Sequence, residues 1–143
     1  MPLSWSHTIE GINWDELAEL FTAAPLGKRN PGVLKVAFSN SMFVCFALEK
    51  GRLVGVGRVL ADGTDCAYIC DIAVLPSYQG TGIGRAILTN LVDRSRNHNK
   101  LILYSVPGKE PFYEKAGFRR MNTAMAVFKD QGQAIASGYI DET

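Results

Sequence analysis

Three glycines at alternate positions are the residues of this chain that could best bind a charged group. Gly80, Gly82 and Gly84 follow an apolar run that ends before Pro76, and they precede a segment with helical periodicity. Glycine lets the backbone approach a ligand closely, and the first amides of a helix have no partner within it. The helix dipole adds a partial positive charge at the same end. The spacing therefore predicts a phosphate or diphosphate site, with Arg85 as a nearby cation.

Other interpretations of the same glycines can be weighed from their spacing. They could serve only as a tight turn that lets a helix pack on a sheet, and that alternative stays open. A Walker loop is excluded because no Gly-Lys pair of this sequence is followed by Ser or Thr. A dinucleotide-binding fingerprint is disfavoured, since it needs GxGxxG after a parallel strand, whereas this loop reads GxGxG after strands that look antiparallel.

Two motifs carry a resemblance to a known family. The segment Gln79-Gly80-Thr81-Gly82-Ile83-Gly84 resembles the [QR]xxGx[GA] acetyl-CoA loop of the GNAT N-acetyltransferases, and residues 112–118, FYEKAGF, resemble the later YxxxGF element of that family. The resemblance covers roughly residues 52–128. It implies an acyltransferase that moves the acetyl group of acetyl-CoA to a primary amine. It also implies an α/β (α+β) fold with a mixed central sheet, an antiparallel N-terminal meander, a parallel splayed strand pair and flanking helices.

The resemblance also implies which residues hold the cosubstrate. The pyrophosphate of coenzyme A would lie on the loop amides, and the pantetheine arm would pair with the preceding strand, one amide of which would polarise the thioester carbonyl. The cofactor-binding residues implied in this way are Ile72, Ala73, Val74, Gln79, Gly80, Thr81, Gly82, Ile83, Gly84 and Arg85. Two positions depart from the family pattern: Val106 stands where many relatives carry Asn, and Thr81 where many carry a basic residue.

Tyr113 and Asp71 are the candidate catalytic residues. Tyr113 matches the family tyrosine that protonates the departing thiolate, a role that suits a phenol with a pKa near 10. The alternative is an aromatic residue that only packs the short helix. An alkyl amine is mostly protonated at neutral pH, so a base is needed, and Asp71 interrupts an apolar strand beside the proposed thioester. A purely structural role for Asp71 stays open, and Tyr68, Glu110 or a water relay are the alternative bases.

The sequence says less about the acceptor and about competing functions. Aromatic residues near the expected acceptor side favour a small or aralkyl amine, although most of them are expected in the core; they are Trp14, Phe21, Phe43, Phe46 and Tyr104. A non-catalytic acyl-CoA sensor or interaction module is the main alternative, and a nucleotide-binding regulator is a more distant one. A homodimer is expected by analogy only.

Composition limits the remaining possibilities. The 143 residues predict one domain over residues 1–143, and 15 basic against 14 acidic residues leave no broad footprint for nucleic acid. The longest strongly apolar stretch, Met42–Leu48, is far shorter than the roughly 20 residues that span a bilayer. No signal sequence is apparent, so a cytoplasmic protein is expected. Three cysteines without CxxC spacing predict buried, inert thiols and no metal site.

The elements that must position these residues follow from periodicity and from helix and turn signals. We expect helices from an Asn13 cap to Phe21, at Val33–Ser39, from Ile83 to an end between Arg94 and Asn99, and at Pro111–Ala116 before Gly117. We expect strands at Met42–Leu48, Leu53–Leu60, Ala67–Leu75, Leu101–Val106 and Met121–Lys129. The tail from Asp130 to Thr143 yields no prediction.

Overall fold

The structure, a computed structural model, describes residues 2–143. They form two units, one that ends at Leu103 and one that comprises Tyr104–Thr143, and each is described by itself. The expectation of one domain over residues 1–143 stays a prediction.

The first unit holds a five-stranded mixed sheet, three α-helices and a single 3₁₀ turn at Pro76–Tyr78. Its elements in chain order are β1 (Ser4–Ser6), α1 (Trp14–Ala23), α2 (Pro31–Ser39), β2 (Phe43–Glu49), β3 (Arg52–Ala61), β4 (Cys66–Val74), α3 (Ile83–Arg94) and β5 (Lys100–Ile102). The strand order follows the chain from β1 to β5. Strands β1 to β4 pair antiparallel, and β4 pairs parallel with β5. The predicted fold class, with its antiparallel meander and parallel strand pair, is confirmed.

Asparagine caps fix the starts of α1 and α2. Asn13 accepts a hydrogen bond from the amide of Glu16 at 3.1 Å, as the sequence predicted. Asn30 accepts from Gly32 at 2.7 Å, and Pro31 occupies the first turn. The second helix therefore begins two residues before the predicted Val33, because an Asn cap followed by Pro is itself a start signal.

Two glycines of β3 bring α3 close to the sheet. A Cβ atom at Gly57 would lie 2.6 Å from Ile87 Cγ2, and one at Gly55 would lie 3.0 Å from Ile83 Cγ2. Ile83 is the first residue of α3, and Gly55 is the cross-strand partner of Val74 at the end of β4. The start of α3 is therefore held beside the end of β4.

The parallel pair is short and leaves most of β4 unpaired on one side. Only Cys66–Tyr68 pair with β5, whereas β4 continues to Val74. Within the first unit, the edge of β4 that faces away from β3 has no strand partner beyond Tyr68. The predicted strand Leu101–Val106 is therefore shorter than expected, since strand pairing ends at Ile102.

The second unit contains two short helices and an aromatic cluster. Helix α4 spans Glu110–Glu114, where Pro111–Ala116 was predicted, and Gly117 after it has a φ of +97°, which confirms the expected left-handed cap. Helix α5 spans Gln131–Ala136 in the tail that yielded no prediction. Its signal was Asp130, which accepts from the amide of Gln133 at 2.9 Å. The rings of Tyr104, Phe128 and Tyr139 pack together with centroids 5.2–6.1 Å apart.

The predicted final strand Met121–Lys129 is wrong, because this segment pairs with no strand of the described chain. Met125 and Val127 within it are each 96% exposed. The segment contains two alanines and an asparagine, which have low strand propensity, so only partner contacts could hold it as a strand.

The three cysteines differ in their exposure to solvent. Cys45 is fully buried, and burial raises the pKa of its thiol to about 11, as expected of an inert thiol. Cys70 is half-buried, and burial also raises the pKa of its thiol. Cys66 is exposed, which corrects the prediction of three buried thiols. Its position at the first residue of β4, beside the β3–β4 turn, explains the exposure.

None of the helices within residues 2–143 has the length and apolar character needed to cross a bilayer.

Candidate functional site

The loop from Gly80 to Gly84 presents unused backbone donors. Gly80 and Gly82 have φ values of +80° and +93°, a left-handed conformation that favours glycine. A Cβ atom at either position would meet no atom within 4 Å, so the backbone conformation rather than crowding requires glycine. Among the described residues, none accepts a hydrogen bond from the amides of Gly80–Gly84. Because Gly82 caps α3 without a side chain, these amides at the positive end of the helix can bind an anion.

The side chains of Gln79 and Thr81 hold the loop in place. Gln79 donates through Nε2 to the carbonyl of Val74 at 3.0 Å and to that of Ala24 at 3.3 Å. The Thr81 hydroxyl donates to the carbonyl of Tyr78. Both side chains therefore bond to the protein itself, and that of Gln79 ties the loop to the end of β4 and to the residue after α1.

The end of β4 offers backbone groups on its open side. The amide of Leu75 donates to the carbonyl of Val54 at 2.9 Å, so Leu75 faces β3. Since alternate residues of a strand face the same neighbour, Ala73 also faces β3, while Ile72 and Val74 face the edge that β5 leaves unpaired. Of the three strand residues predicted to contact the cosubstrate, Ile72 directs both peptide groups to this edge, whereas Val74 offers only its amide, because its carbonyl accepts from Gln79.

Asp71 lies at the centre of a two-arginine cluster. Its Oδ2 accepts a hydrogen bond from Arg58 Nε at 2.6 Å, and its Oδ1 accepts one from Arg29 at 3.3 Å. Its side chain is 7% exposed. Arg58 and Asp71 are cross-strand partners, and the β3–β4 register shifts at Val59, the next residue. Such an irregularity re-aims the side chains beside it.

This geometry bears on both roles considered for Asp71. An amine that gives its proton to Asp71 must displace an arginine, and Arg29 makes the longer contact. The ion pairs favour the structural alternative, and the role of Asp71 as general base stays a prediction. Sequence reasoning missed both arginines as partners of Asp71. A charge within the apolar strand β3 was the available signal for Arg58.

Tyr113 lies in α4 of the second unit. Its ring packs edge-to-face against Phe112, with centroids 5.0 Å apart, and against Phe118 at 6.1 Å. Burial raises the pKa of its phenol above the ordinary value of 10. None of the residues 2–143 bonds to its hydroxyl. The ring of Tyr113 thus packs against its neighbours, as the alternative role requires. Its hydroxyl is protonated and can donate a hydrogen bond.

The expectation that most aromatic residues considered for the acceptor side lie in the core is wrong, because only two of the five are buried and Tyr104 is 56% exposed. Phe21 and Phe46 are fully buried, and Trp14 packs against Phe38 with centroids 6.2 Å apart.

The chain is similar to known acetyltransferases in sequence and in fold. A family model described as an acetyltransferase (GNAT) domain matches residues 22–132. The chain is 32% identical over 115 residues to GCN5-related N-acetyltransferase 1, chloroplastic, of Arabidopsis thaliana, an alignment that covers 78% of this chain and 58% of that protein. It is 39% identical over 108 residues to glucosamine 6-phosphate N-acetyltransferase of Trypanosoma brucei brucei, covering 70% and 69%.

The chain thus spans only about three fifths of the Arabidopsis protein. Among solved structures, a GNAT family acetyltransferase from Streptococcus pneumoniae superposes with a TM-score of 0.75 at 23% identity, covering 90% of this chain and 99% of that one. This likeness shows a shared fold.

Proposed function

Because the chain belongs to the GNAT acetyltransferase family, we propose that it transfers the acetyl group of acetyl-CoA to a primary amine. The observation that carries this proposal is the juxtaposition of two features. A loop of unused amides begins α3, and this helix start lies beside the unpaired end of β4. The diphosphate of coenzyme A would bind to the loop, and its extended pantetheine arm would run along the unpaired edge of β4.

The glycine loop and strand β4 would both bind the cosubstrate. The amides of Gly80–Gly84 would donate to the pyrophosphate, and Arg85 would add positive charge. Hydrogen bonds to a charged group contribute roughly 1.5–3 kcal/mol each, so a few of them supply substantial affinity. The peptide groups of Ile72 and the amide of Val74 would pair with the pantetheine arm, and one of these two residues' amides would polarise the thioester carbonyl. The family relation, the free amides and the open edge support this assignment.

The reaction proposed is direct attack by the neutral amine on the thioester carbon. Only about one alkyl amine molecule in a thousand is neutral at pH 7.4, so a base or a water relay must take a proton first. Asp71 is the proposed base, and the 3.3 Å hydrogen bond from Arg29 to its Oδ1 would break while Arg29 stays stacked on Phe21. The new C–N bond forms as the C–S bond breaks, and Tyr113 gives its proton to the departing thiolate. The nitrogen then loses its second proton to water, and Tyr113 is reprotonated from water. The raised pKa and the free hydroxyl of Tyr113 support this role.

For the acceptor we propose a small or aralkyl amine. The relative from Trypanosoma brucei brucei is named for an amino sugar phosphate, which is a small amine. A cytoplasmic location is also only proposed, since the Arabidopsis relative is named as chloroplastic.

A homodimer is a further part of the proposal. The two apolar side chains that are 96% exposed, Met125 and Val127, support burial against a second copy. Sedimentation equilibrium should show a dimer at micromolar concentration, and a monomer at these concentrations would rule out the homodimer.

The test of the activity is thiol release from acetyl-CoA in the presence of a panel of small amines. Release that depends on the amine, with an acetylated product seen by mass spectrometry, is the expected result. Tight binding of acetyl-CoA with no turnover on any small amine or amino-terminal peptide would instead favour the non-catalytic sensor.

A further inference from the structure

We infer that Arg29 recognises an anionic group, a phosphate or carboxylate, carried by the acceptor amine. This inference rests on the proposed acetyl transfer and narrows its substrate class. The cluster that suggests it consists of Arg29, Arg58 and Asp71, all in the first unit.

The cluster has an unbalanced charge. One carboxylate faces two guanidinium groups, so one positive charge is left uncompensated. Arg58 makes the close ion pair, at 2.6 Å, and its side chain is 15% exposed. Arg29 bonds to Asp71 through a single nitrogen at 3.3 Å and is 33% exposed. Among the described residues, no second carboxylate pairs with either arginine. The surplus charge is therefore most accessible at Arg29.

Arg29 is also held in position. Its guanidinium carbon lies 4.7 Å from the ring centroid of Phe21, which is fully buried. Arg58 is held in the same way, 5.6 Å above the ring of Phe38. Stacking on a core ring limits the freedom that an arginine would lose on binding, and it leaves the edge of the guanidinium plane for hydrogen bonds. That edge matches the two oxygens of a carboxylate or phosphate.

The position of the cluster connects it to the proposed reaction. Asp71 directly precedes Ile72, whose amide is one of the two proposed to face the thioester. The arginine on its carboxylate therefore lies beside the strand segment proposed to hold the thioester. A small amine with its anionic group a few bonds from the nitrogen would place both groups where they are needed. A plain alkyl or aralkyl amine would leave the charge of Arg29 unused.

Matched acceptors and matched variants test the inference. The acceptors are 3-aminopropyl phosphate, 4-aminobutyrate and butylamine, compared by kcat/KM for acetyl transfer. We expect at least one of the two anionic amines to exceed butylamine by about tenfold in the wild type. Arg29→Gln should abolish this preference, and Arg29→Lys should keep part of it. Lys28→Gln removes the same charge from an exposed neighbour and should leave the preference intact.

Equal use of butylamine, or a preference that survives Arg29→Gln, would overturn the inference. A binding measurement covers the case in which no acceptor reacts. In the presence of coenzyme A, the Arg29 Nε–Hε NMR signal, assigned by its loss in Arg29→Gln, is titrated with 3-aminopropyl phosphate. A shift that saturates near about 1 mM, but not with butylamine, would support anion recognition even if acetyl transfer fails. No shift would overturn the inference without affecting the proposed reaction.

Discussion

Arg58 Nε donates to Asp71 Oδ2 at 2.6 Å across the β3–β4 pair, and the strand register shifts at the residue that follows Arg58. The pair therefore joins two central strands at the point where their regular alternation changes. Because Asp71 precedes the strand segment proposed to hold the thioester, the same ion pair links the stability of the sheet to the geometry of the site.

The first prediction concerns that carboxylate. Asp71→Asn leaves Arg58 without its counter-ion in a largely buried position, and removing one partner of a buried pair costs about 3 kcal/mol. Urea unfolding should show a loss of that order. Asp65→Asn is the control, because Asp65 pairs with Lys100 at the surface and little change is expected. An Asp71→Asn variant as stable as the wild type would show that the pair is not structural.

The second prediction concerns the contact between α3 and the sheet. A methyl group at Gly57 would lie 2.6 Å from Ile87 Cγ2 and 2.7 Å from Leu91 Cδ1, both in buried residues. Overpacking of this kind costs about 1–3 kcal/mol. Gly57→Ala should therefore lower the free energy of unfolding and weaken acetyl-CoA binding, since α3 must move.

Gly132→Ala is the matched control, because its Cβ atom would lie 3.8 Å from the nearest atom, an ordinary contact. Thermal unfolding of both variants measures the difference. Equal stability of Gly57→Ala and the wild type would contradict the packing described for α3.

The third prediction concerns Tyr113 as proton donor. A general acid contributes roughly 10²–10⁴-fold, so Tyr113→Phe should lower kcat at least about 100-fold with little change in KM for the amine. Tyr139→Phe, a change of the same kind within the same unit, should have no such effect. Because burial raises the pKa of Tyr113 above 10, its proton remains in place as the pH rises from 7 to about 9.5.

The wild-type rate should accordingly show no fall from ionisation of Tyr113 in that range. A descending limb below pH 9 that disappears in Tyr113→Phe would contradict the raised pKa. An unchanged kcat in Tyr113→Phe would leave the residue a packing role only.

The fourth prediction concerns the thiols. At pH 8, a disulfide reagent should label one cysteine quickly in the folded protein, and Cys66→Ser should remove that fast phase. Cys45 should react only on unfolding, because its pKa of about 11 leaves almost no thiolate at pH 8. Rapid labelling of Cys45 would show that the core around it opens easily.

The sequence predicted strands β2 to β4, the long helices and the glycine loop because each depends on local pattern, but it missed the short strand β1. The ion pairs of Asp71 could not be predicted, since Arg58 and Arg29 lie 13 and 42 positions away and no local rule joins them. The contact between the Gln79 side chain and the carbonyl of Ala24 was missed for the same reason, because Ala24 lies 55 positions away. The final strand failed because a weak apolar run becomes a strand only where a partner strand is present.

The central claim is that the left-handed glycines before α3 aim backbone amides at the pyrophosphate of acetyl-CoA. Calorimetric titration with acetyl-CoA tests it on wild type, Gly82→Ala and Gly11→Ala. Gly82 has a φ of +93°, so an alanine lets the free loop relax and binding must restore a conformation that costs about 1–2 kcal/mol. The account predicts micromolar binding by the wild type, about tenfold weaker binding by Gly82→Ala, and no change in Gly11→Ala, whose φ of +75° lies in a different loop. No heat of association with the wild type, or equal affinity of Gly82→Ala and wild type, would contradict it.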